Sequence, residues 1–295
     1  MRWLAGLVAP ALLAGCQSAT SSGQGSLEAI ASRSELRAVV VGDDLPYAQK
    51  SGSGYEGLSI TVLDAILNEL NETLEPAKPI QLSLEPASSV ADGLQRITGG
   101  QADIACGVAF TWARQQELDF TLPFAMGGVR VLVPAGASGT PDGLVGQKVA
   151  VVEGSASATI LKGLAPKADY VAFASPEQAL DAMRSGKVQA LGGDSLWLRA
   201  NQQQVAPNAE LRPAIPYARS GVGCVVAANN RELRVLGSIA IGQMMQAYLD
   251  DNAEVVKAVN RWVGPGSAVN LSSELIARYF NAVLSTVAEF AHSQS

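Results

Sequence analysis

The chain has 295 residues, 48% hydrophobic and 16% charged, enough apolar material for two medium-sized domains with their own cores. Its formal net charge is −6, which opposes binding to nucleic-acid phosphates and excludes a polybasic membrane binder. The single histidine, His292, stands near the C-terminus beside only three cysteines in the chain, so His-based triads and zinc sites are excluded as readings. No cofactor, no metal and no nucleic-acid partner is expected.

The N-terminus sets the compartment. Residues 1–16 read MRWLAGLVAPALLAGC, with Arg2 ahead of an apolar run of 12 residues from Trp3 to Ala14. That run is too short for a spanning helix, which needs about 20 residues, and suits a signal-peptide core. Leu13-Ala14-Gly15-Cys16 resembles a bacterial lipobox, in which the cysteine receives the lipid. Cys16 is therefore expected to be lipidated and to hold an exported protein to a membrane. Residues 17–33 begin with small polar residues and read as a flexible tether, with folding starting near Leu27.

Hydrophobic spacing then predicts alternating elements. A strand at Leu36–Val41 is followed by a helix at Gly57–Leu74, with apolar positions Leu58, Val62, Leu63, Ile66, Leu67 and Leu70 on one face. A strand at Ile80–Leu84, a helix at Val90–Thr98 ending on Gly99-Gly100 and a strand at Ile104–Phe110 complete a βαβαβ run. Gly127–Val133 reads as a strand leading into a breaker cluster, taken as a domain boundary. The alternation restarts with strands at Val149–Val152, Tyr170–Phe173 and Val188–Leu191 and helices at Ala156–Leu164, Pro176–Ser185 and Leu196–Gln203. A strand at Gly221–Ala228 precedes helices at Arg231–Leu249, Ala253–Val263 and Ser273–Ala291. The fold class is α/β: two parallel-sheet domains, residues 34–134 plus 222–295 and residues 138–218, joined by a two-segment hinge. A ligand belongs in the cleft at the carboxyl ends of the strands. Cys106 and Cys224 lie in apolar strand-like runs; a disulfide and two buried thiols are both open.

The most informative run is Gly107-Val-Ala-Phe-Thr-Trp-Ala-Arg-Gln-Gln-Glu-Leu-Asp-Phe-Thr-Leu-Pro-Phe124. It puts Thr111 and Arg114 in a loop after a buried strand, where the guanidinium offers a fork of donors suited to a carboxylate. The run resembles family 3 of the bacterial extracellular solute-binding proteins, with the pattern Gly-x-[Ser/Thr]-x-Thr-x-x-Arg followed by Asp-Phe-[Ser/Thr]-x-Pro-[Tyr/Phe]. Gly54-Tyr-Glu-Gly57, Gly146 to Ser155, Ser175 to Leu180, Gly193-Asp194-Ser195 and Asn260-Arg-Trp262 are similar to the family in order. The resemblance implies a periplasmic-binding-protein type II fold in which Arg114 clamps an α-carboxylate, Ser155 adds a hydroxyl and an N–H, and Asp194 takes an α-ammonium from the second domain. Asp194 also reads as the N-cap of the following helix. Three positions depart from the family: Ala109 replaces a hydroxyl, and Asp44 and Val90 stand where aromatic rings usually cover the ligand. Asp44 suits a cationic ligand or a solvated turn, and Trp112 supplies a replacement ring or packs in the core.

The function that follows is a solute-binding lipoprotein that delivers an amino acid or similar small polar solute to an ABC-type permease. One alternative is an orphan binding protein without a transporter, beside a radical-enzyme system that modifies Gly-rich peptides. Another is a dehydratase of the cyclohexadienyl or prephenate kind, for which Glu153 is the candidate acid; the reading favoured here is not an enzyme. The C-terminal helix, with Leu275, Ile276, Tyr279, Phe280, Val283, Leu284 and Val287 on helical spacing, reads as core cover.

Overall fold

A computed structural model describes residues 26–42 and 45–292, with side chains to residue 286. The lipobox, most of the tether and Asp44 lie outside the described residues. In chain order the elements are α1 (Leu27–Arg33), β1 (Glu35–Val40), β2 (Gln49–Ser51), β3 (Gly54–Glu56), α2 (Leu58–Leu74), β4 (Gln81–Pro86), α3 (Val90–Thr98) and β5 (Ile104–Ala109). Next come α4 (Trp112–Gln115), β6 (Leu118–Phe120), β7 (Ala125–Pro134), β8 (Lys148–Val152), α5 (Ala156–Leu164), β9 (Asp169–Phe173), α6 (Pro176–Arg184) and β10 (Ala190–Asp194). The chain closes with α7 (Ser195–Val205), β11 (Ala209–Arg212), β12 (Arg219–Ala227), α8 (Arg231–Leu249), α9 (Ala253–Asn260) and α10 (Ser273–His292).

The strands form one path, β4-β1-β5-β12-β7-β10-β8-β9. Its two ends are parallel, β1 with β4 and β5, and β8 with β9 and β10. Its middle is antiparallel: β12 pairs β5 and β7, and β7 pairs β10. Each half thus carries the parallel strands that the spacing predicts, and the antiparallel pairs are those of the two strands that link the halves. The reason is topological: a chain that crosses between two halves and returns must run its crossing strands in opposite directions.

Period-2 alternation builds a core on each face of each half. On β1, Leu36, Ala38 and Val40 join a cluster with α2, α8 and Trp262, while Val39 faces the opposite way toward Ile97 and Val108. On β8, Ala150 and Val152 face the α6–α7 side, while Val149 and Val151 face Leu161. The same device, strands sandwiched between helix layers, thus appears twice along the chain.

Two sequence readings change at the edges. The tether is shorter than 17–33, because α1 is capped by Ser26 and buries Ile30 completely. Its Arg33, together with Arg37, is paired with the buried carboxylate of Asp103 just ahead of β5. The strand placed at Val188–Leu191 runs instead through Gly192 and Gly193 to Asp194, since pairing with β7 and α7 packing override the low strand preference of glycine. Helix α10 covers the core with Ile276 and Phe280, and Tyr279 donates to the Pro123 carbonyl at 2.9 Å.

Candidate functional site

Cys106 and Cys224 face one another across β5 and β12 and are joined as a disulfide. Beyond this staple the chain turns at Gly107, whose positive φ of 88° disfavours any side chain. A Cβ there would also lie 2.7 Å from the Ser59 hydroxyl. This close approach brings the start of α2 and the end of β5 together as the floor of a cavity between the two halves.

That cavity measures about 140 Å³ and is lined from both sides. Ala109 and Arg114 come from the β5–α4 turn, and Ser155 and Asp194 from the starts of α5 and α7. Thr111 sits one step outward, in a wider groove that also holds Trp112 and Arg219. The rest of the wall is mainly aliphatic, including Val39, Leu63, Val90, Leu94 and Val152. Trp112 is 79% exposed and stands edge-on to Phe110 at the groove, so it neither packs in the core nor lines the inner cavity. Glu153, the candidate acid, is exposed and does not line the inner cavity.

Helix starts position the polar groups. Thr111 accepts from the Arg114 N–H, Ser155 from Ala158 and Asp194 from Leu196 and Trp197, each as the N-cap its sequence class favours. Arg114 donates through one guanidinium nitrogen to the Ala109 carbonyl at 2.7 Å and through another to the Gly154 carbonyl of the other half at 3.2 Å. No carboxylate pairs with it among the described residues. Burial pulls its guanidinium below its ordinary value, yet arginine remains cationic in proteins.

Asp194 is differently placed. Its carboxylate accepts from the Gly128 N–H at 3.0 Å, Leu196 N–H at 3.0 Å, Trp197 N–H at 3.2 Å and Tyr47 hydroxyl at 3.1 Å. The Tyr47 bond joins the halves, as do Arg114 to Gly154 and the Asn201 amide to the Leu45 carbonyl. Sequence reasoning missed Tyr47, Ser59 and Trp197. Ser59 left a faint signal as a hydroxyl on an otherwise apolar helix face; Tyr47 left none, because its partner is 147 residues away.

Burial pushes the Asp194 carboxyl up, against the pull of its hydrogen bonds from Trp197, Gly128, Tyr47 and Leu196. A raised folded value means that the folded chain takes up a proton before the unfolded chain does. This stability contribution is full below the ordinary carboxylate value of about 4 and is lost as pH rises through the raised one. Asp194→Asn should remove that part of the profile, read as the difference between the two proteins' melting temperatures across mildly acidic pH.

Strand β7 supports the same carboxylate. A Cβ at Gly127 would lie 2.1 Å from Asp194 Oδ2. Gly127→Ala should therefore displace the carboxylate, break its cap and its bond to Gly128, and lower stability by about 2–4 kcal/mol in chemical denaturation.

Residues 36–282 match the sequence profile of the bacterial extracellular solute-binding proteins, family 3. The chain belongs to that family. It is 28% identical over 230 residues to the virulence sensor protein BvgS of Bordetella pertussis, covering 77% of this chain but 17% of BvgS, so the chain spans a small part of that protein's length. The fold matches that of an ancestral amino acid-binding protein described as a precursor of cyclohexadienyl dehydratase, with a TM-score of 0.68 at 23% identity over 80% of this chain and 98% of that one. It also matches AbpA of Streptococcus pneumoniae bound to L-arginine, with a TM-score of 0.67 at 21% identity over 79% and 96%. An ancestral arginine-binding protein bound to glutamine gives 0.67 at 22% over 79% and 99%. The family and these neighbours are mainly binding proteins, and family membership points to work outside the cytoplasm. Among the described residues no helix is long and apolar enough to cross a membrane, and no group of three or more His, Cys, Asp or Glu is placed to hold a metal ion.

Proposed function

We propose that this family 3 protein is an exported binding protein whose two halves close on a small carboxylate-bearing solute, an amino acid or a molecule of that shape. The observation that carries the reading is Arg114, a cation without an acidic partner among the described residues, at the wall of the interdomain cavity and bonded to carbonyls of both halves. A carboxylate entering there would replace those carbonyls as the acceptor and draw the halves together, which is how a ligand shifts a hinged protein toward its closed state. Ser155 would add its hydroxyl proton and the field of the α5 N-terminus, with Thr111 holding the Arg114 turn in place. Ala109 serves through its carbonyl, where the family usually offers a hydroxyl.

In this reading residues 34–134 plus 222–295 move as one body and 138–218 as the other, about β7 and β12. Cys16 carries the lipid anchor, and an ABC-type permease receives the solute. The likeness to part of a virulence sensor favours a second reading: closure is itself the signal and no transporter is involved. Isothermal calorimetry of the purified chain against a panel of amino acids and related carboxylates tests the common core of both. Binding that survives Arg114→Ala unchanged would sink it. Assay of solute uptake in cells lacking the protein separates import from signalling.

A further inference from the structure

Arg114 and Asp194 are the charged residues at the cavity wall among the described residues, and they are not equally available. Among the described residues Arg114 has no acid to neutralise it. Asp194 already receives four donors, three on Oδ1 and one on Oδ2, so Oδ2 is where a further donor would have to come. Its Oδ2 is also packed against Gly127, where even a methyl group would not fit. An ammonium arriving from a ligand would have to displace Tyr47 or unmake the cap of α7.

Among the described residues the remaining wall offers an ammonium only neutral acceptors such as the Ser59 and Ser157 hydroxyls, and no second carboxylate. It is mostly aliphatic, and a cation buried there without a partner is costly. Two further polar groups are neutral: the Ser59 hydroxyl and the Trp197 indole N–H, both buried without a hydrogen-bond partner. The indole can only donate. The indole therefore calls for an acceptor on the ligand, and the Ser59 hydroxyl can donate to the same kind of group.

We infer that the cleft selects a small monocarboxylate with an apolar body and a neutral acceptor, of the 2-oxo or 2-hydroxy acid class, over the amino acid of the same skeleton. The inference rests on the reading that Arg114 holds a carboxylate, and it departs from the arginine and glutamine seen in the matched binding proteins. A guanidinium or ammonium side chain would fare worst, because it brings a second cation into the same aliphatic wall.

Matched sets decide the matter: 4-methyl-2-oxopentanoate, its 2-hydroxy analogue and L-leucine, with L-arginine as a further arm, each titrated by calorimetry into the purified full chain. The oxo or hydroxy acid is expected to bind at least about tenfold more tightly than leucine, the ratio that one charge-assisted hydrogen bond commands. Leucine or arginine binding as tightly as the oxo acid would overturn the inference while leaving the carboxylate reading intact. No binding by any of the acids would overturn it as well, and oxo-acid binding unaffected by Arg114→Ala would remove the reading beneath it. Tyr47→Phe supplies an independent check, since it keeps the ring but releases one acceptor position on Asp194. Its leucine affinity should rise relative to the oxo acid, and an unchanged ratio in the folded variant would refute the argument from a carboxylate already engaged by its own donors.

Discussion

Arg114→Ala is expected to weaken ligand binding by at least about 100-fold, because two charge-assisted hydrogen bonds worth about 1.5–3 kcal/mol each disappear together. Calorimetry reads the effect directly, and loss of the ligand-induced rise in melting temperature reads it a second way. Arg114→Lys should recover only part of the affinity, since a point charge cannot make the paired contact of a planar fork. The ligand-free variant should be at least as stable as the parent. Among the described residues the guanidinium is held by the carbonyls of Ala109 and Gly154, and burial already disfavours its charge. A site that stores an uncompensated cation for its ligand gives up stability for function. A large drop in the melting temperature of empty Arg114→Ala would instead make the residue a structural bridge.

The second large effect belongs to the disulfide. Cys106 and Cys224 are 118 residues apart in sequence, and closing a loop of that size in the unfolded chain stabilises the fold by about 4–5 kcal/mol on the chain-entropy account. The doubly substituted C106A/C224A protein should therefore melt roughly 10–20 °C lower than the parent under non-reducing conditions. The loop it closes contains all of β8 to β10, so the bond restrains the outward and return crossings at once. A mass spectrum taken without reduction should show the oxidised chain, and two free thiols would contradict the bond. Because Cys106 also lines the cavity, ligand affinity in the variant measures how far the staple sets the floor of the site.

How much of this was legible beforehand differs from residue to residue. Arg114, Ser155 and Asp194 were readable because each stands where a strand ends and a helix begins, and cap chemistry marks such junctions in the sequence. The Cys pair was readable as a question, since two cysteines in apolar runs fit a bond or two thiols equally; strand register then put them side by side. The role of Asp194 changed most. From sequence it was an ammonium receptor and a cap. In the fold the cap is made, and Gly128 and Tyr47 occupy the rest of the carboxylate. Neither partner could be foreseen, for one lies on β7 and the other in the opposite half. Trp112, an inviting ring in the central motif, turned out to face the groove instead of the core.

The sequence by itself determined the α/β alternation, the family and the residues that gather at helix starts, because these depend on local spacing and on capping within a few residues. Only the tertiary structure decided which of those groups are free. Whether a charge at the cleft is a receptor or is already satisfied depends on donors brought from across the molecule. Among the described residues Arg114 emerges with no acid beside it and Asp194 with four donors around it.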